Sequence, residues 1–242
     1  MDEEAKYYSL LLNYARLLAP FYNTFFKCLT FGEEPRLRDT VAAFASPPKG
    51  SRILDVATGT GKQAYAFAKK GYDVTGIDLS EDMLKEAIGK KKCENAKFEI
   101  ADATRLPFEE NSFDVSCVSF ALHDMILSIR EKALKELVRV TKAEGTIIIV
   151  DYGLPENGFV RFFAYNVIKL YEPYYVEFVK SDLEGLLRKS GIQIENKLSV
   201  LLGAGRILNG KRIHKPLCDT TFSRHTSKKP RVPAIWEEMQ KH

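Results

Sequence analysis

Three short apolar segments, each ending in an acidic residue, constrain this chain more than any other feature. Ile53 to Val56 runs into Ala57-Thr58-Gly59-Thr60-Gly61, with Asp55 just ahead of the glycines. Gly76-Ile77-Asp78-Leu79 and Ile100-Ala101-Asp102-Ala103 follow, each after room for one helix. Such alternation of strand and helix predicts a parallel sheet with helices on both faces. Right-handed crossovers then bring every strand's C-terminal end, and all three carboxylates, to one rim.

The alternation continues along the chain. Strands are predicted over 52–56, 72–77, 97–101, 113–119 and 145–150, and helices over 61–70, 81–91 and 130–141. The strands are Ile/Val-rich runs, as expected where both faces are buried. Further helices are predicted over 159–171 and 181–190, and two closing strands over 192–198 and 204–208. Ahead of the sheet, Tyr7, Leu11 and Tyr14 fall at helical spacing and predict a helix over 5–19 that Pro20 stops. An aromatic segment over 21–31 and a helix over 36–44 complete an N-terminal helical cap, residues 1–46. Residues 47–213 form the sheet domain, and residues 214–242 read as a basic, flexible tail.

Charge narrows the function. The net charge is +4, yet nine Lys/Arg against three Asp/Glu fall between Arg206 and His242, which leaves residues 1–205 with −2. The main domain is not basic, so a broad cationic nucleic-acid face is not indicated. Cys28, Cys93, Cys117 and Cys218 are scattered without a C-x-x-C pair, so no metal site is expected. Isolated thiols fit a reducing compartment. No apolar run reaches the ~20 residues needed to span a bilayer, and the start Met1-Asp2-Glu3-Glu4 lacks a basic leader region. The expected location is cytoplasmic.

The rim carries the chemistry. Gly59 and Gly61 let the backbone approach a ligand, and the helix that follows points its free N–H groups at the same place. Asp78 at the second strand's end can accept both hydroxyls of a ribose. A G-x-G-x-x-A pattern, Gly59 to Ala64, also suits a nicotinamide dinucleotide. Asp55 argues against that ligand, because a carboxylate beside a pyrophosphate is repelled. It favours a ligand with a positive ammonium and sulfonium. Asp102 can accept from an adenine amino group while the Ala103 N–H donates to a ring nitrogen. The three acids together select S-adenosyl-L-methionine.

On these motifs, together with Leu106-Pro107-Phe108, Phe113-Asp114-Val115, Arg139-Val140 and Gly145-Thr146, residues 50–150 resemble the class I S-adenosylmethionine-dependent methyltransferases. The resemblance implies a Rossmann-like, doubly wound α/β fold with a mostly parallel seven-stranded sheet. It implies cofactor contacts from Asp55, Ala57, Thr58, Gly59 and Gly61, from Asp78, Leu79 and Met83, and from Asp102, Ala103 and Phe120. Backbone near Ala57 and Phe120 would hold the methionine part, with Met83 and Leu106 packing on the adenosine. Ala57 stands where the family usually has glycine. Within the class, Tyr22-Asn23, Gly32, Arg36 and the stretch Gly203–Gly210 are most similar to the menaquinone/ubiquinone-biosynthesis C-methyltransferases. Phe120 to Met125 departs from that type.

The function expected is methyl transfer to a small, partly apolar acceptor. Transfer from a sulfonium is an in-line displacement that needs positioning and exclusion of water more than a nucleophile. His123, on the ligand rim after the fourth strand, is the candidate general base. Asp124 could orient it or cap the next helix. Alternatives are a methyltransferase acting on RNA or protein, a nicotinamide oxidoreductase and a non-catalytic cofactor-binding module. The oligomeric state is left open.

Overall fold

The computed structural model describes residues 3–30, 32–89, 93–170 and 172–213. Seven strands make one sheet: β1 (Arg52–Val56), β2 (Asp73–Asp78), β3 (Ala96–Ile100), β4 (Phe113–Ser119), β5 (Thr141–Tyr152), β6 (Ile192–Val200) and β7 (Gly205–Arg212). Their order is β3-β2-β1-β4-β5-β7-β6. The first five strands pair in parallel, while β7 runs antiparallel to both β5 and β6. This is the doubly wound, mostly parallel sheet expected. The proposed tail, residues 214–242, lies outside the described residues, as do 90–92 and 171 at two predicted helix ends.

The helices are α1 (Glu3–Leu29), α2 (Glu34–Ala45), α3 (Lys62–Lys69), α4 (Glu81–Gly89), α5 (Leu127–Val140), α6 (Gly158–Ile168), α7 (Tyr175–Lys180) and α8 (Leu183–Lys189). Ile53, Leu54, Val115, Val118, Ile147 and Ile148 of the central strands are fully buried between the helical layers. Side-chain caps punctuate the later helices. Asn157 accepts from the amides of Phe159 and Val160 at the start of α6, and Asp182 from Gly185 at the start of α8.

Two expectations need correction. Pro20 does not end the first helix: α1 runs through it for 27 residues. The ring sits on the exposed side, so the lost amide bond falls where water replaces it, while Tyr7, Ala15 and Ala19 on the other side are buried. Packing of both halves of α1 on the domain outweighs the ~3 kcal/mol cost of an interior proline. The fifth strand starts at Thr141 rather than 145, and a register irregularity opposite Phe113–Val115 absorbs the extra residues. The helix read over 181–190 is present as α8, and a short helix that was not foreseen, α7, precedes it.

Candidate active site

The sheet register assembles the acidic rim. Asp55 pairs with Gly76 and Val56 with Ile77, so the glycine turn begins beside Asp78. The Gly59 amide donates to Asp78 Oδ2 at 2.8 Å, and the Ser80 amide to Oδ1 at 2.9 Å. Each oxygen keeps a lone pair for a ribose hydroxyl. Burial raises the Asp78 carboxyl above its ordinary range, while the amides of Ser80 and Gly59 pull against that shift. Asp55 is buried and accepts from Thr58 Oγ1 at 2.5 Å, while its Oδ1 has no hydrogen-bond partner. Burial pushes its pKa up to about 6 against the Thr58 bond and the Arg38 charge. A buried carboxylate with a free oxygen fits the ammonium or sulfonium of the expected cofactor.

The turn's backbone explains its residues. Gly61 has φ 74°, and a Cβ there would lie 2.8 Å from the Phe98 ring and 2.9 Å from Ala87. Its small size serves helix–sheet packing as much as ligand approach. Gly59 has φ 55° with open space around it, the geometry needed for close ligand approach. Ala57 (φ 53°) and Phe120 (φ 52°) are non-glycine residues in the left-handed region, at the ends of β1 and β4. Strain of this kind collects at ligand clamps.

Asp102 is placed on the rim as expected, but much of its capacity is in use. Its Oδ1 accepts from the Thr104 amide and hydroxyl at 2.8 Å, and its Oδ2 from Tyr8 OH at 3.2 Å. Ala103 and Leu79 are half-buried, while Leu106 is buried. Met83 is buried against Ala15 and Ala19 of α1.

Helix α1 therefore lies over the rim. Tyr8 reaches Asp102 at one end, and Asn23 Oδ1 accepts from Thr60 Oγ1 at 2.8 Å at the other. The space left beside the glycine turn is about 30 Å³, lined by Tyr22, Arg38, Asp55, Gly59 and Phe120 among others. Ligand pockets run ~300–1,000 Å³, so the residues suit the cofactor while the space beside them is narrower than it needs.

Sequence reasoning missed Arg38. This buried α2 residue is paired with Glu34 (Nε–Oε1 3.4 Å), and its Nη1 donates to Ser119 Oγ at 2.5 Å. Lys62 also pairs with Glu34. Arg38 stands 5.7 Å from the centre of the Phe120 ring, at the junction of β1 and β4. Its only sequence signal is the Glu34–Arg38 spacing of four, common on any solvated helix.

His123 lies in a buried acidic cluster. Its Nδ1 is 2.8 Å from Asp151 Oδ1, while its Nε2 is 3.5 Å from Asp124 Oδ2 and 3.6 Å from Glu172 Oε2. Burial opposes charge on the ring, but Asp124, Asp151 and Glu172 outweigh it and hold the imidazole well above its usual range. Burial likewise lifts the Asp124 carboxyl to about 7, against the pull of His123. With both ring nitrogens facing carboxylates, His123 is poorly placed as a free general base, the role expected of it. Glu172 and Asp151 were not foreseen, because nothing in the primary structure links them to His123.

Beyond Phe120 opens a cavity of about 920 Å³, lined by Leu37, Tyr152, Phe159, Phe163, Val167, Leu201 and other mostly apolar residues. Phe120 lines both this cavity and the glycine-turn pocket. Tyr152 stands between the cavity and the His123 ring, 4.5 Å from its centre. Among the described residues, no helix is long and apolar enough to cross a membrane.

The sheet order and this rim have the form that the resemblance to S-adenosylmethionine-dependent methyltransferases implies. Residues 54–149 match the family profile described as Methyltransferase domain. Within that class the chain is similar to the demethylmenaquinone methyltransferase of Paenarthrobacter aurescens (strain TC1), 34% identical over 172 residues, 71% of this chain and 62% of that protein. The chain spans 58–62% of the length of three such relatives. In structure it is similar to the methyltransferase bound to the Haloferax volcanii Trm112 activator, with TM-score 0.61, 17% identity and coverage of 80% of this chain and 96% of that one. It is also similar to Haemonchus contortus phosphoethanolamine N-methyltransferase 2 in complex with S-adenosyl-L-methionine, with TM-score 0.59, 20% identity and coverage of 74% and 53%.

Proposed function

We propose that the protein transfers the methyl group of S-adenosylmethionine to a lipophilic ring acceptor of the quinol or phenol type, seated in the apolar cavity. One observation carries this reading: Phe120 borders both the glycine-turn pocket and the 920 Å³ cavity, so a methyl group held at the turn faces an apolar chamber. The similarity to demethylmenaquinone methyltransferases supports the same class of acceptor. That cavity is too apolar to favour a nucleic-acid or peptide acceptor.

The chain's residues divide the work. Asp78 holds the ribose, while Asp102 and Ala103 hold the adenine. Arg38 takes the methionine carboxylate, a charge-assisted contact suited to a guanidinium. Asp55 faces the positive end. Transfer is a displacement in which the acceptor atom bonds to the methyl carbon and the sulfur keeps the departing electron pair. His123, Asp124 and Glu172 line neither pocket, so a proton released by an acceptor hydroxyl reaches that cluster only past Tyr152.

The test is direct. The protein is incubated with methyl-labelled S-adenosylmethionine and demethylmenaquinol, kept reduced with dithionite, in detergent, with a water-soluble catechol and transfer RNA as competitors. The expected product is the labelled quinone, identified by mass spectrometry. Label on the transfer RNA or catechol, with none on the quinone, would overturn the reading.

A further inference from the structure

The His123 cluster leaves two buried polar atoms without a hydrogen-bond partner of good geometry. Asp151 Oδ1 accepts from Nδ1 at 2.8 Å and is itself fixed by the Tyr152 amide at 2.7 Å, with the His123 amide 3.2 Å from Oδ2. That contact places one ring proton on Nδ1, so a cation that displaces the second proton from Nε2 would meet its lone pair. Nε2 is buried without a hydrogen-bond partner, and so is Glu172 Oε2. A proton on Nε2 would draw a carboxylate to ~2.7–2.9 Å. The observed separations are 3.5 Å to Asp124 and 3.6 Å to Glu172.

Those lengths suit a shared metal ion. Ligands ~2.1 Å from a tetrahedral ion stand about 3.4 Å from one another. The donor atoms of His123, Asp124 and Glu172 all lie within 4.8 Å of each other. They come from two places far apart in sequence: the turn after β4, with both His123 and Asp124, and the α6–α7 connection, where the Glu172 amide donates to the Ile168 carbonyl at 3.0 Å. Asp151, on β5, supplies the outer carboxylate that orients a metal-ligating imidazole.

We propose that His123 Nε2, Asp124 and Glu172 form a binding site for a tetrahedral divalent cation, zinc by fit, with the fourth position open. One imidazole and two carboxylates is a donor set that zinc accepts, and three protein ligands with one vacant position is the pattern of reactive rather than structural zinc. Asp124, with its side chain 30% exposed, marks the side from which an ion and an oxygen ligand enter. An oxygen bound in the open position loses its proton near neutral pH. Its link to methyl transfer rests on the acceptor reading above, but ion binding does not.

The experiment uses the full chain, dialysed against a chelator and then titrated with Zn²⁺ in competition with a chromophoric chelator, without cofactor or acceptor. One zinc per chain is expected, and Co²⁺ in its place should give the visible absorption of a four-coordinate ion. Glu172→Gln should weaken binding at least a hundredfold, and Asp151→Asn ten- to a hundredfold. Both variants keep the side-chain shape, and circular dichroism checks that they fold. His214, Cys218, His225 and His242 provide other ligands in the same chain. Stoichiometric binding that survives Glu172→Gln and Asp124→Asn would place the ion on such residues and overturn the proposal, as would no binding at all. A protein that binds zinc here yet methylates no ring acceptor would sink only the acceptor reading.

Discussion

The Gly59 amide donates to Asp78 Oδ2 at 2.8 Å, so the glycine turn and the second strand's carboxylate are one unit. Asp78→Ala removes the proposed ribose acceptor and the anchor of the turn together. Loss of a hydrogen bond to a charged group is worth ~1.5–3 kcal/mol. Calorimetry with S-adenosylhomocysteine should therefore show affinity at least tenfold weaker. Unchanged affinity would place the cofactor elsewhere.

Asp55 makes cofactor binding depend on pH. Its carboxyl is pushed up to about 6, first by burial. The native protein therefore holds a proton that the unfolded chain, with its ordinary carboxylate value near 3.8, has released. Stability from this group is complete below pH ~3.8 and is lost as pH rises through ~6. The cofactor's positive end favours the ionised form, so affinity should rise on the order of tenfold between about pH 5 and 7. Asp55→Asn should flatten that slope in the same calorimetric series.

Ala57 offers a test of backbone strain. At φ 53° its Cβ is disfavoured by ~1–2 kcal/mol. Ala57→Gly removes that cost and adds a smaller entropic one. The substitution should stabilise the fold by about 1 kcal/mol, raising Tm by ~2–4 °C. A drop in Tm would mean that the methyl group packs usefully.

Helix α1 should control entry. Its contact from Asn23 to Thr60 is one of the two described clasps over the rim. Asn23→Ala deletes a neutral hydrogen bond worth ~1 kcal/mol. Cofactor association, followed by surface plasmon resonance, should become about fivefold faster. An unchanged association rate would show that α1 opens by another route.

Much of the rim was legible because its signals are local. Asp55, Asp78 and Asp102 each follow an apolar strand, and the strand's own geometry delivers them. The path of α1 was not legible: a proline inside a helix is read as a stop unless the packing of Ala15, Ala19 and Tyr7 is known. Arg38, Asp151 and Glu172 were missed for the same reason. Their partners lie 81, 28 and 49 positions away in Ser119, His123 and His123, and only the closed fold brings each pair together. The reading of His123 as a base followed from its position after β4, where its acidic neighbours could not be seen.

The one reversed strand has a consequence for biosynthesis. β7 fills the gap between β5 and β6, pairing Tyr152 with Gly205 on one side and Val200 with Gly205 on the other. A nascent chain that has emerged only as far as Val200 therefore carries two unsatisfied strand borders, which are templates for aggregation. The sheet closes only once β7 is available, so those borders stand open for as long as β6 is present without β7.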